Sequence, residues 1–196
     1  MFIQIVQGPV RDAARFGAEA DRWRTDLKPG ARGYLGCTWG TSSDGTGFIA
    51  ARFDSALSAK SNSTRPEQDA WWQAIEPSFE QVAFRDCDDV ELLFGGGTNH
   101  AGFVQVIQGR VHDVEAARVL MRRAETRLAV ARPDILGGWV AWHGHDGDFT
   151  QVMYFESEAA ARSGETAPEE GDVGEEYRSM MAVEPAFLDL PEPHFD

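Results

Sequence analysis

Phe2–Asp12 reads FIQIVQGPVRD, and Phe103–Asp113 reads FVQVIQGRVHD. Six of the eleven positions are identical, and three more exchange Ile for Val or Val for Ile. A repeat at this spacing is a statement about architecture before it is one about chemistry. Two halves of one polypeptide are expected to share a fold and to face each other as a pseudo-dimer. Residues 1–94 make the first repeat, 95–102 (GGGTNHAG, with the glycines in front) the linker, and 103–196 the second repeat.

Composition supports a packed, globular chain. Of 196 residues 42% are hydrophobic and 11% aromatic, enough for a core. The formal net charge of −14 argues against nucleic acid, whose phosphates are held by clustered Lys and Arg. MFIQIVQGPV lacks the basic and apolar regions of a signal peptide, and no run reaches the roughly 20 apolar residues of a membrane helix. Cys37 and Cys87 stand in no ligand-like spacing and read as reduced, buried thiols. These signs together imply a cytoplasmic protein with no membrane partner. The acidic stretch Glu165–Glu176 (ETAPEEGDVGEE) reads as a solvated loop, or alternatively as a docking strip.

Working outward from the repeat, each half opens with a strand, Phe2–Gln7 or Phe103–Gln108. Asp12 or Asp113 then stands where a helix N-cap belongs. Phe16, Ala20, Trp23 and Leu27 recur on one helical face and match Ala117, Met121, Ala124 and Leu128. Trp23 on that stripe reads as packing and not as a cofactor platform. Pro29 and Pro133 end the helices. Hairpins follow, Tyr34–Trp39 with Gly47–Phe53 and Leu136–His143 with Phe149–Phe155, turning at Asp44-Gly45 and Asp146-Gly147. Ser55 and Ser157 are placed to cap a second helix. In that helix Gln68, Trp72, Ile75 and Phe79 align with Glu176, Met180, Val183 and Phe187, through the shared pairs Glu76-Pro77 and Glu184-Pro185. A fourth strand is expected at Val82–Cys87. Its counterpart at Leu190–Phe195 carries Pro191 and Pro193 and must be short or at an edge. Strand–helix–strand–strand–helix–strand, twice, is an α+β chain of two ferredoxin-like (βαββαβ) repeats.

A half of this order, with the aromatic-acid-Ser steps Phe53-Asp54-Ser55 and Phe155-Glu156-Ser157, resembles the dimeric α/β-barrel superfamily. Within it the halves are most similar to the antibiotic-biosynthesis-monooxygenase type. The resemblance implies two sheets closing a barrel inside one chain, so an intramolecular pseudo-dimer that is a monomer or a weak homo-oligomer. It also implies a barrel cavity for an apolar aromatic metabolite, acted on by cofactor-independent oxygenation, with no cofactor.

Candidate chemistry is sparse. The turn His143, His145, Asp146 and Asp148 looks like a metal site, but its counterpart, GTSSDGTG, holds no His, so a plain hairpin turn explains it and no metal is expected. Haem-degrading relatives use a first-strand Asn and a helical Trp followed by His. Here the strand carries Gln4 and Gln7, and no His follows Trp71 or Trp72 within the next twenty residues. Oxygenation without cofactor needs a dry pocket, polar anchors and a stacking surface. Strand parity nominates Gln4 and Gln105, Arg52 with its counterpart Tyr154, and Arg85. Pointing into a barrel, they would hold a phenolate or carboxylate. Alternatively, Gln4 and Gln105 satisfy one another and Arg52 pairs with an acid such as Asp86. Trp72 lies on the repeated stripe and reads as packing, whereas Trp71 lies off it and is the candidate to touch a ligand or an oligomer partner. Asymmetries between the halves (Arg52 against Tyr154, Trp71 against Ser179, Cys37 against Trp139) suggest that two cavities diverged, leaving at most one active. The other reading is a non-catalytic binding or association module with its barrel packed shut.

Overall fold

The computed structural model describes residues 1–144, 146–166 and 173–196. In chain order the elements are β1 (Phe2–Pro9), α1 (Ala13–Arg22, continued by a π-helical turn over Trp23–Leu27), β2 (Tyr34–Thr41), β3 (Thr46–Phe53), α2 (Ala56–Ser63), α3 (Pro66–Ile75), β4 (Ala83–Cys87) and β5 (Asp89–Leu93). Then come β6 (Phe103–Arg110), α4 (Val114–Ala131), β7 (Ile135–His143), β8 (Asp148–Phe155), α5 (Glu158–Thr166), α6 (Val173–Met180), β9 (Ala186–Leu190) and β10 (His194–Phe195). Among the described residues no helix is long and apolar enough to cross a membrane.

The strands form two five-stranded antiparallel sheets of like order, β10-β2-β3-β1-β4 and β5-β7-β8-β6-β9. Four strands of each follow the order a ferredoxin-like unit requires, and the fifth is added at the edge beside the hairpin. In each sheet that edge strand comes from the other end of the chain segment. β5 follows β4 and joins the second sheet, while β10 follows β9 and joins the first. The compact units accordingly are residues 1–89 with 192–196, and residues 90–191. The strand expected over Leu190–Phe195 is therefore two strands with separate duties. Ala186–Leu190 pairs with β6 as Ala83–Cys87 pairs with β1, and His194–Phe195 pairs with β2. Pro191 and Pro193 flank the break, where neither has to donate to a ladder.

Capping follows the sequence closely. Asp12 accepts from the Arg15 amide at 2.9 Å and Asp113 from Ala116 at 3.0 Å. Ser55 accepts from Ser58 and Ser157 from Ala160, both at 3.2 Å. Pro66 at the first position of α3 divides the second helix of unit 1 into two. Within α3 the buried face runs through Trp71 and Ile75, and Trp72 is only half-buried. The expected roles of the two tryptophans in packing are thus exchanged. Bridges Val10↔Phe79 and Val111↔Met181, with the registers Val6↔Phe84 and Ile107↔Phe187, match Phe79 to Met181 and Phe84 to Phe187. Aligning the Glu-Pro pairs displaces that helix by several residues, because Glu76-Pro77 precede the Val10↔Phe79 bridge whereas Glu184-Pro185 follow the Val111↔Met181 bridge. The acidic stretch lies partly outside the described residues, which pick it up again at α6.

In unit 1 the stripe Phe16, Ala20, Trp23 and Leu27 packs with Trp71, Ile75 and Phe79 against Cys37, Trp39 and Ile49 of the sheet. Phe16 meets Trp39 and Phe79 edge-on at 5.6 and 5.4 Å between centroids. In unit 2 Ala117 and Met121 pack with Val140, Trp142, Phe149, Met153 and Phe155.

Strand β2 carries a bulge between Tyr34 and Gly36 against β3. Gly36 has φ of 135°, and a Cβ there would stand 2.6 Å from Arg52 Nη2. Gly36→Ala is expected to lower unfolding free energy by about 1–3 kcal/mol. Gly17→Ala, on α1 with nothing within 4 Å of a new Cβ, is expected to raise it by about 0.5–1 kcal/mol. Urea titrations of the two variants give the comparison, and a destabilised Gly17→Ala or a neutral Gly36→Ala would contradict it.

Candidate functional site

Alternation places Gln4 and Val6 of β1, Ile49, Ala51 and Phe53 of β3, and Phe84 of β4 on the helix-facing side of the unit 1 sheet. On β2, Tyr34 and Cys37 are three residues apart and would ordinarily point to opposite faces. The bulge between them puts both on this side. Between this face and the helices lies a cavity of about 290 Å3. Its walls hold Trp23, Trp39, Trp71 and Trp72, with Tyr34, Phe53 and Phe84.

The rings support one another. Trp23 lies 4.8 Å from Tyr34 and 6.5 Å from Trp71 between centroids; Trp71 is 6.2 Å from Trp72, which meets Phe84 at 4.9 Å. Trp39 is stacked on His194 of β10 at 4.1 Å. Polar atoms hold two of the indoles in place. Trp71 Nε1 donates to the Glu19 carbonyl at 2.7 Å, and Trp23 Nε1 donates to Gln68 Oε1 at 2.8 Å. Asn62 Nδ2 donates to the same Gln68 oxygen at 3.3 Å, while Asn62 Oδ1 accepts from Arg65 at 2.8 Å. Two donors on Oε1 fix the amide's orientation, which leaves Gln68 Nε2 as a donor available to a ligand.

Asp196 supplies a carboxylate to the wall. Its Oδ1 accepts from the Tyr34 hydroxyl, and its backbone pairs with Cys37 in both directions at 3.4 Å. Burial raises the Asp196 pKa, which the Tyr34 hydrogen bond and the more distant Lys28 and Arg24 partly offset. Burial, then the charges of Cys37 and Asp196, raise that of Tyr34, so the phenol stays protonated and donates. Burial and Asp196 likewise raise the Cys37 thiol, which makes it a neutral wall group and not a nucleophile.

Of the residues nominated by the sequence, Gln4 and Trp71 come together at this cavity. Arg52 and Arg85 stand opposite Ile3 and Ile5 in register, on the other face of the sheet, each with a buried nitrogen lacking a hydrogen-bond partner among the described residues. Gln105 and Tyr154 belong to unit 2. Gln105 donates to Glu165 at 3.1 Å and Asp189 at 3.2 Å, and Tyr154 accepts from Trp139 at 3.0 Å. Gln4 donates to Asp86 at 3.0 Å, so in each unit the first-strand Gln is satisfied by an acid one strand over. The acid expected beside Arg52 is thereby taken by Gln4. Among the described residues no three His, Cys, Asp or Glu side chains are grouped to hold a metal; His145 lies outside them.

Tyr34, Trp39, Asn62, Gln68 and Asp196 were not nominated, and Trp23 was read as packing alone. Gln68 did leave a signal, a polar residue on a predicted core stripe. Asp196 left none, since a tail residue joins a wall only through the β10–β2 pairing.

Register also shows how the two units differ. Ala51 lies opposite Cys37, and the equivalent pair in unit 2 is Met153 opposite Gly138. Trp139 consequently matches Thr38 and not Cys37. Met153 Sδ lies 2.8 Å from where a Gly138 Cβ would stand, so the thioether occupies the space that Ala51 leaves open.

No family model matches the chain, and no curated protein matches it by sequence. Solved structures do match in fold. Two proteins, each named "putative monooxygenase", are similar with a TM-score of 0.77. The one from Lactobacillus acidophilus NCFM is 12% identical, with 98% of this chain and 95% of that one covered. The one from Fusobacterium nucleatum is 13% identical, with 98% and 93% covered. An anthrone oxidase-like protein is similar at a TM-score of 0.70 and 12% identity, covering all of this chain and 92% of its own. At these identities the likeness is one of fold.

A carboxyl with a raised folded-state pKa penalises folding where it is ionised, and the penalty disappears below its ordinary pKa. Asp196→Asn keeps an acceptor for Tyr34. It is expected to melt a few degrees above the parent at pH 7, the gap closing as pH falls toward about 4. Paired melting curves at the two pH values test this; a gap that does not narrow would contradict it.

Proposed function

We propose that this protein binds an apolar aromatic metabolite in the unit 1 cavity and oxidises it as a cofactor-independent monooxygenase-like enzyme. The observation that carries the reading is the wall of four tryptophans around open space, where the equivalent pair in unit 2 is filled by Met153. Its volume is near the lower end of the range for small-molecule sites, about 300–1,000 Å3. Aromatic walls stack a planar ligand and exclude water, and Gln68 Nε2 and Asp196 offer one donor and one acceptor to orient it. In such chemistry an electron-rich substrate itself reduces oxygen: a ring-flanked CH2 becomes C=O, with one oxygen atom in the product and the other in water. The names of the solved structures similar in fold agree with this class of reaction. Duplication of one ferredoxin-like repeat, the two sheets closing a barrel within the chain, and a cytoplasmic setting belong to the same proposal. A non-catalytic binding or association module is the second reading, favoured by Gln4, the polar nominated residue that reaches the cavity, being engaged with Asp86.

A thermal-shift screen against hydroxylated anthrones, quinones, flavins and haem tests the binding. A ligand at about a hundred times its dissociation constant adds roughly 2.7 kcal/mol. The expected result is a shift with a polycyclic aromatic, lost in Ala51→Met, which introduces the side chain that fills unit 2. Oxygen uptake with that ligand and no added cofactor then separates the enzyme from the binding module. An equal shift in a folded Ala51→Met variant would remove the cavity as the site.

A further inference from the structure

The charges at the cavity do not suit an anion. Its ionisable wall groups are Asp69, Asp196, Tyr34 and Cys37, and no Lys, Arg or His lines it. Phenol and thiol are held neutral, so the charged groups there are carboxylates alone. Arg52 and Arg85 stand on the other face of the sheet, and Arg52 lines no part of the cavity, acting on Tyr34 and Cys37 through its charge alone. Around the space stand four indoles, a phenol and two phenyl rings, whose faces carry negative quadrupole charge and attract cations. Asp196 is half-satisfied. Tyr34 donates to Oδ1 and the Cys37 amide also favours the charged form, but no cation forms an ion pair with the carboxylate among the described residues, Lys28 and Arg24 acting on it only through their charge. A partly buried carboxylate in that state gains most from a cation placed against it.

We propose that the unit 1 cavity selects a ligand whose aromatic body carries a protonated nitrogen, the nitrogen bound by Asp196 and the surrounding ring faces and the body stacked among the tryptophans. This rests on the reading of the cavity as an aromatic-ligand site and adds the charge of the ligand to it. Asp69, exposed at the wall, extends the negative field outward and favours entry of a cation. The amide of Gln68 is left to donate to an oxygen on the ligand body.

Three probes with one ring system separate the charge from the body: 2-naphthylmethylammonium, 2-naphthylmethanol and 2-naphthoate, titrated calorimetrically against the intact protein at pH 7. The expected order is ammonium, alcohol, carboxylate, with about tenfold between the first and the last. Asp196→Asn is expected to weaken the ammonium about tenfold and to leave the alcohol within about threefold. Its melting curve shows that it is folded. Carboxylate binding as tight as ammonium would overturn the proposal, as would an equal loss of alcohol and ammonium in Asp196→Asn. So would ammonium binding that survives in Ala51→Met, since the probe would then lie elsewhere. Binding of the alcohol alone overturns the charge selection and leaves the aromatic site standing. Failure of all three probes, together with a silent aromatic screen, overturns both.

Discussion

Between Tyr34 and Gly36, strand β2 takes one residue more than β3 opposite it, and the side chains before and after the bulge share a face they would otherwise divide. The cavity of unit 1 depends on that. Without the extra residue Tyr34 would leave the helix-facing side, and Asp196 would lose its hydrogen-bond donor. Trp23 would also lose the ring 4.8 Å from its own. Glycine makes the bulge possible by accepting a φ of 135°, and Arg52 occupies the place where a Cβ would go. Unit 2 has the same bulge, between Ile135 and Gly137, but Ile135 replaces the tyrosine and carries no hydroxyl. One backbone irregularity thus serves two different walls.

Side-chain volume at a single cross-strand pair accounts for much of the remaining difference. Ala51 opposite Cys37 leaves room, whereas Met153 opposite Gly138 fills it, and Gln151 Nε2 contacts the Met153 sulfur at 3.2 Å. Methionine is suited to this because its unbranched chain follows an irregular gap. The Gln-to-Asp pairs, Gln4 with Asp86 and Gln105 with Asp189, are present in both units whether or not the space above is open. Their duty is satisfying polar groups on neighbouring strands, which a cavity does not alter.

Legibility in the sequence followed the range of the interaction. N-caps at Asp12, Asp113, Ser55 and Ser157, the hairpin turns at Gly45 and Gly147, and the α1 stripe are local rules of a few residues, and they hold atom by atom. Parity grouped Gln4 with Arg52 and Arg85, but the register puts Gln4 on the helix-facing side and the two arginines on the other. For Arg52 and Arg85 parity named a face without saying which of two spaces that face adjoins. Trp71 was singled out for being off the core stripe; it is in fact buried with Ile75 one turn on, and it lines the cavity from there. Wall residue and core residue are not exclusive roles when the core itself encloses the space, which is also how Trp23 came to be read as packing alone.

What the amino-acid sequence determined by itself was the order of elements and the likeness of the two halves, since both are written in periodicity, turn residues and caps that act within a few positions. The tertiary structure decided where the chain ends its strands and which residues meet. His194 and Asp196 reach Trp39 and Tyr34 across roughly 150 residues, through a two-residue strand flanked by prolines. No local pattern encodes such a contact, because its stability comes from the edge of a sheet that must first be folded. The partly buried carboxylate of the site is therefore a property of the fold.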